Sequence, residues 1–226
     1  MRRLVAFLVL LLVLVAILDR VAVTGAQREL ARQATARYDL ESPPEVSILG
    51  IPFLTQAISG RYDEVKVAAG PMVLNGLRLS SVDFTLHDVT APLSDLVLRS
   101  DQAEIRAGRV EGAVVVPLDV LNQRAPRGIK VAVDGDTLTV NGQVTVLGQK
   151  VPVKADLKIG VSKGEIRFSP ERVTVGGGVP VPEPERFIDY RIPIKNLPFG
   201  VKITGVRVVP QGIQVSGEAA DVPLHG

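Results

Sequence analysis

The chain contains no cysteine and no tryptophan, only two histidines, and aromatic residues at just 4% of its 226 positions. Without cysteine there is no disulfide framework, no thiolate-ligated zinc or iron–sulfur centre and no thiol nucleophile. His87 and His225 alone do not make an imidazole-rich metal site, so no metal and no cofactor are expected. Scarce aromatics remove the usual stacking platforms for bases and sugars. An excess of one charge is missing as well. Three of the 26 basic residues and one of the 24 acidic residues fall within positions 1–20, so the rest of the chain carries 23 of each. A nucleic-acid partner, whose phosphates demand a basic surface, is excluded on that balance. Glycine (21) and proline (16) stay below the low-complexity range, and 46% hydrophobic residues suffice for a real core.

The N-terminus begins with Arg2 and Arg3, followed by an uninterrupted apolar run of 15 residues, Leu4 to Leu18. As a helix the run covers ~22 Å, less than the ~30 Å hydrocarbon slab, which suits a signal-peptide core. The continuation Val21-Ala22-Val23, with Asp19 and Arg20 near the far interface, suits an uncleaved signal anchor. No clear Ala-x-Ala site follows the run. Residues 1–23 therefore read as a signal anchor or a signal peptide, and residues 24–226 as a single domain. Arg2 and Arg3 hold the N-terminus in the cytoplasm. The body then lies outside it, at the cell membrane in a single-pass protein or exported after cleavage.

Val23, Leu30, Ala34 and Tyr38 recur at helical spacing, which extends the membrane helix or starts a second helix after a bend at Gly25. Beyond Ser42-Pro43-Pro44 the period becomes two. In Val151 to Val161 every odd position is apolar and the even ones are polar, Pro or Gly, the signature of a strand with one buried face. Ile129/Val131/Val133, Leu138/Val140, Ile166/Phe168, Val201/Ile203 and Ile213/Val215 repeat it. Turn sequences such as Asp134-Gly135-Asp136 and Pro210-Gln211-Gly212 lie between, giving an antiparallel meander. Short helices are expected after prolines, over Phe53–Ser59, Leu93–Leu98, Leu118–Arg124 and Glu185–Arg191. Gly176-Gly177-Gly178 and the prolines after it form a long loop, either a lid or an ordinary connector.

No catalytic set emerges, and the chain is not expected to be an enzyme. There is no Gly-x-Ser-x-Gly elbow, phosphate loop or dinucleotide fingerprint. His87 and Asp88 are strand neighbours pointing to opposite faces. Of the carboxylate pairs, Asp63-Glu64 lacks a facing partner, Asp134/Asp136 sits in a turn and Glu183/Glu185 in a proline-rich loop. Lys150, Lys154 and Lys158 share the polar parity of one strand, within a stretch (121–167) holding eight basic and four acidic residues. Those lysines either meet anionic headgroups or form a solvated edge that resists aggregation.

The segment Gly50-Ile51-Pro52-Phe53-Leu54-Thr55-Gln56-Ala57-Ile58-Ser59-Gly60-Arg61-Tyr62 carries a family resemblance. So do Asp83-Phe84-Thr85-Leu86, Val89-Thr90-Ala91-Pro92-Leu93, and Leu197-Pro198-Phe199-Gly200-Val201 to Gly217. Together with the N-terminal hydrophobic segment, they resemble the actinobacterial lipomannan elongation factor family of cell-envelope lipid-binding proteins. The resemblance implies an α+β fold similar to tubular lipid-binding domains: a strongly curved antiparallel sheet wrapped around a long N-terminal helix, with several short helices. It implies binding of anionic phospholipid, including phosphoinositides, and support for mannan elongation on lipomannan and lipoarabinomannan. Envelope glycosyltransferases are a further candidate partner, apart from what the resemblance implies. On this reading the odd-position Val, Leu and Ile residues line either an acyl-chain channel or a filled core. A filled core leaves a non-enzymatic scaffold or chaperone for glycosyltransferases. Apolar residues in Pro/Gly-bounded segments are the mouth candidates: Ile51, Phe53, Leu54 and Ile58 in one group, Leu197, Phe199 and Val201 in another. Arg61 and Lys66 flank the first group as phosphate contacts; Lys150, Lys154 and Lys158 complete the headgroup or membrane candidates.

Overall fold

The computed structural model of the chain describes residues 1–74, 77–91, 105–125, 128–146, 149–162, 165–176, 178–180, 190–193 and 200–224. The fold is α+β, with a long N-terminal helix, two large sheets and short helices. Helix α1 (Arg2–Tyr38) is continuous across Gly25 and ends where Asp39 turns left-handed at φ 49°. The first sheet takes the order β1-β2-β5-β6-β14-β13. Its strands are β1 (Glu45–Leu49), β2 (Arg61–Ala69), β5 (Ser81–Thr90), β6 (Arg106–Pro117), β13 (Lys202–Val209) and β14 (Gly212–Pro223). The second follows the order β11-β10-β9-β8-β7, with β12 also pairing β10. It is built from β7 (Ile129–Asp134), β8 (Thr137–Val146), β9 (Gln149–Ser162), β10 (Glu165–Val175), β11 (Val179–Pro180) and β12 (Tyr190–Pro193). Strands β3 (Met72–Leu74) and β4 (Leu77–Leu79) make a small hairpin.

The chain divides into two compact units. Unit 1 comprises residues 1–70, 83–111 and 219–226; unit 2 comprises 71–82 and 112–218.

Unit 1 is organised around a core of Val23, Ile48, Phe53, Val65, Leu86, Val89 and Ala107. Helix α1 enters that core only past its apolar run: Asp19 and Val23 are its buried residues, and none of residues 2–18 is buried. Ala22, Ala26, Gln27, Ala31, Ala34 and Thr35 continue the half-buried stripe at helical spacing. Leu30 and Tyr38, which share the helical spacing of Val23 and Ala34, are 43% and 56% exposed. Small alanines let the helix lie close to the sheet, and the larger side chains fall outside the stripe. The short helix α2 (Phe53–Ser59) occupies its expected span and is closed by Gly60 in the left-handed region.

In unit 2, helix α3 (Leu118–Arg124) also occupies its expected span and packs on β7, an edge strand. The Asn122 amide imitates a neighbouring peptide: its Oδ1 accepts the Val131 N–H at 2.8 Å and its Nδ2 donates to the Val131 carbonyl at 2.9 Å. An exposed strand edge is thereby covered. Asn122→Ala is expected to lower stability by about 1–2 kcal/mol, because edge groups recover only part of these bonds from water. A thermal melt of the detergent-solubilised chain measures this; an unchanged midpoint would mean the clamp is idle.

Two expectations for unit 2 change. The stretch Glu185–Arg191, expected to be helical, ends in strand, since Tyr190 and Arg191 open β12; its earlier residues, like the expected helix Leu93–Leu98, lie outside the described residues. The expected long loop does not begin at Gly176: Val175 pairs with Val179 and Thr174 with Pro180, so chain pairing resumes directly after Gly178, and Gly177 lies outside the described residues. Gly176 and Gly178 take φ 59° and 132°, conformations costly for residues with a Cβ.

Candidate functional site

The main apolar surface of unit 2 follows directly from strand register. Three rows cross four strands: Ile129–Gly142–Val153–Val175, Val131–Val140–Ala155–Val173 and Val133–Leu138–Leu157–Pro170. Ile159–Phe168 and Val161–Ile166 extend them along β9 and β10. Residues on one strand alternate in parity, so keeping Phe168 and Pro170 on the same face as Val173 and Val175 needs one extra residue. Glu171 is that residue: the register shifts between Pro170 and Arg172, a bulge that restores the apolar face. The opposite face presents Lys130, Thr139, Asn141, Lys154, Asp156 and Lys158.

This apolar face is not sealed. Leu138, Ala155, Pro170 and Val173 are buried at its centre, while Ile129, Val131, Val140, Val153, Leu157, Ile159, Val161, Ile166 and Phe168 keep partial exposure. Within the same unit β13 runs close to β9, and its Ile203, Val206 and Val208 are likewise only half-buried. A closed core of this composition would bury most of its aliphatic side chains.

In unit 1, a groove of about 750 Å³ follows one flank of α1. Its described lining is ordered by polarity along the axis. All of it belongs to α1: Val13, Ala16 and Ile17 stand at one end, Arg20, Val21, Thr24 and Gly25 in the middle, and Arg28 at the other end. Apolar surface grading into cations is the order in which a bilayer phospholipid presents chains and phosphate.

The joint between α1 and α2 is made by a residue the sequence reading passed over as interfacial. Asp19, 3% exposed, accepts the Leu54 N–H at 2.8 Å and pairs with Arg20. Pro52, the residue preceding α2, offers no side-chain cap, so a carboxylate 35 positions away supplies it. Its sequence signal was a lone acid directly after a 15-residue apolar run. Behind α2, buried Gln56 donates to the Leu49 carbonyl at 3.1 Å and accepts the Asp63 N–H at 3.0 Å, joining β1 to β2. A Cβ on Gly50, which sits at φ 97°, would lie 2.5 Å from the Gln56 amide nitrogen.

The structure sorts the sequence candidates by depth. Phe53 is 6% exposed within the unit 1 core, where its ring lies 6.3 Å from that of Tyr62, and Leu54 packs against the same core. Ile51 and Ile58 point outward, 82% and 79% exposed. Arg61 is exposed at the start of β2, just after α2. Lys66 sits 2.9 Å from Glu64 and holds that carboxyl below its usual range. Lys150, Lys154 and Lys158 lie exposed on β9, on the face opposite the apolar rows, and Lys158 is ion-paired to Glu171. Val201 is half-buried in unit 2; Leu197 and Phe199 lie outside the described residues. His87 does not pair with Asp88, whose backbone turns left-handed at φ 53°; its Nε2 faces Glu111 at 3.9 Å.

The chain is thus an α+β protein with a sheet face of aliphatic rows left partly open and an exposed apolar helix. The family model described as LmeA-like phospholipid-binding matches residues 17–218, and the chain belongs to that family. No curated protein matches the chain, and no solved structure does. Phospholipid is thus the ligand class. Helix α1 is long and apolar enough to cross a membrane, as a single span or signal anchor does.

Proposed function

We propose that this protein is a membrane-anchored envelope protein, its body outside the cytoplasm, that holds an anionic phospholipid of the phosphoinositide class and performs no covalent chemistry. On this reading it supports mannan elongation on lipomannan and lipoarabinomannan by presenting or sequestering lipid. The observation that carries the proposal is the partly uncovered apolar face of the second sheet. Aliphatic rows of this breadth are costly against water and are satisfied by acyl chains, each buried methylene contributing ~0.8 kcal/mol. The anionic preference is supported by Arg28 in the α1 groove, and the orientation by Arg2 and Arg3 ahead of the apolar run. The resemblance to lipomannan elongation factors supports the envelope role.

Native mass spectrometry of the detergent-purified full chain tests the lipid assignment. We expect co-purifying phospholipid, enriched in anionic headgroups over the host membrane average. A folded, lipid-free protein that takes up nothing from anionic vesicles would overturn it and leave the scaffold reading, for which capture of envelope glycosyltransferases is the readout.

A further inference from the structure

We infer that the outer face of α2 is a membrane-seating surface, inserted into the interface of the same bilayer that α1 spans. The inference rests on the anchoring reading above and goes beyond it by assigning a second contact to a specific element.

Three independent observations place that face. First, the Asp19–Leu54 hydrogen bond fixes the first turn of α2 beside the residue that ends the apolar run Leu4–Leu18. Because a helix advances ~1.5 Å per residue, a span ending near Leu18 brings α2 to the level of the headgroup boundary. Second, the unit 1 core engages α1 only beyond that point, through Ala22, Val23 and Ala26. Phe53 and Ala57 face this core, so the opposite face of α2 looks away from it. Third, exposed Ile58 and Thr55 lie on that outward side of α2, and exposed Ile51 lies in the extended segment just before the helix. A single exposed isoleucine is unremarkable on a soluble surface, but two bracketing one short helix at the depth of the interface form a wedge. Arg61, exposed just after α2, supplies a cation at its margin, as interfacial segments do.

With α2 seated, unit 1 is held against the bilayer at two points and cannot swing freely about α1. A phospholipid leaving the outer leaflet along the α1 groove would then meet the folded protein without crossing bulk water.

Because the natural chain has no tryptophan, single tryptophans report depth without background. Ile58→Trp, Ile51→Trp and Leu11→Trp would each be reconstituted as the full chain in vesicles of phosphatidylglycerol and phosphatidylcholine, with and without brominated acyl chains. All three positions are exposed in the fold, so none disturbs packing. We expect Leu11→Trp to be strongly quenched, and Ile58→Trp and Ile51→Trp to lose most of their emission to brominated lipid while resisting iodide in the water. Quenched Leu11→Trp with unquenched, iodide-accessible Ile58→Trp and Ile51→Trp overturns the seating surface alone. Unquenched Leu11→Trp removes the anchoring reading and the seating surface with it.

Discussion

A Val153→Asp/Ile159→Asp double variant is expected to lose nearly all co-purifying phospholipid while keeping its fold. Both side chains lie on the apolar face of β9 with partial exposure, in rows shared with Val175 and Phe168. In the lipid-free chain each new carboxylate reaches water, so folding survives. Beneath an acyl chain the same carboxylate would be desolvated without a partner, which the chain avoids by lifting off. Displacing about four methylenes at ~0.8 kcal/mol each removes ~3 kcal/mol, roughly a hundredfold in affinity. Asn141→Asp, which adds a charge on the exposed polar face of the neighbouring strand β8, is expected to leave the lipid content unchanged. Circular dichroism establishes the fold and native mass spectrometry the occupancy. Wild-type occupancy in the double variant would remove this face from the binding site.

That face was legible in the sequence because a half-covered antiparallel sheet imposes a period of two on its residues, and Val151 to Val161 displays it without a break. What alternation does not carry is the partner across the ladder. The parity of β10 reverses between Pro170 and Val173, and only the pairing with β9 shows that Glu171 is an inserted residue and the apolar face continuous. Depth is equally hidden. Ile51, Phe53, Leu54 and Ile58 look alike as apolar residues in one short segment, yet two of them face the core and two face outward. The difference is set by the Asp19 carboxylate and the Gln56 amide, whose partners are distant in sequence or specific in geometry. Leu30 and Tyr38 share the helical spacing of Val23 and Ala34, but close approach to the sheet favoured the alanines. Local pattern thus revealed which surfaces are apolar, and long-range hydrogen bonds decided where those surfaces are placed.

The same distinction predicts opposite consequences for neighbouring residues. Phe53→Ala empties a buried site bounded by Val23, Ile48 and Val65 and removes the ring beside Tyr62, whose hydroxyl burial already shifts toward the neutral form. Removing a buried phenylalanine costs about 3–5 kcal/mol, the transfer of the ring plus the cavity left behind. For a chain of this length that corresponds to a fall in melting temperature of roughly 6–20 °C. Ile51→Ala, two residues earlier and 82% exposed, should change stability by no more than ~0.5 kcal/mol. If α2 is seated in the bilayer, Ile51→Ala should instead weaken the vesicle contact while the melt in detergent stays unchanged. Phe53→Ala should depress the melt first, because α2 loses the core that holds it against α1. Calorimetry of both variants in the same detergent, followed by vesicle reconstitution, separates the two roles: equal melting temperatures would mean that Phe53 does not anchor the unit 1 core.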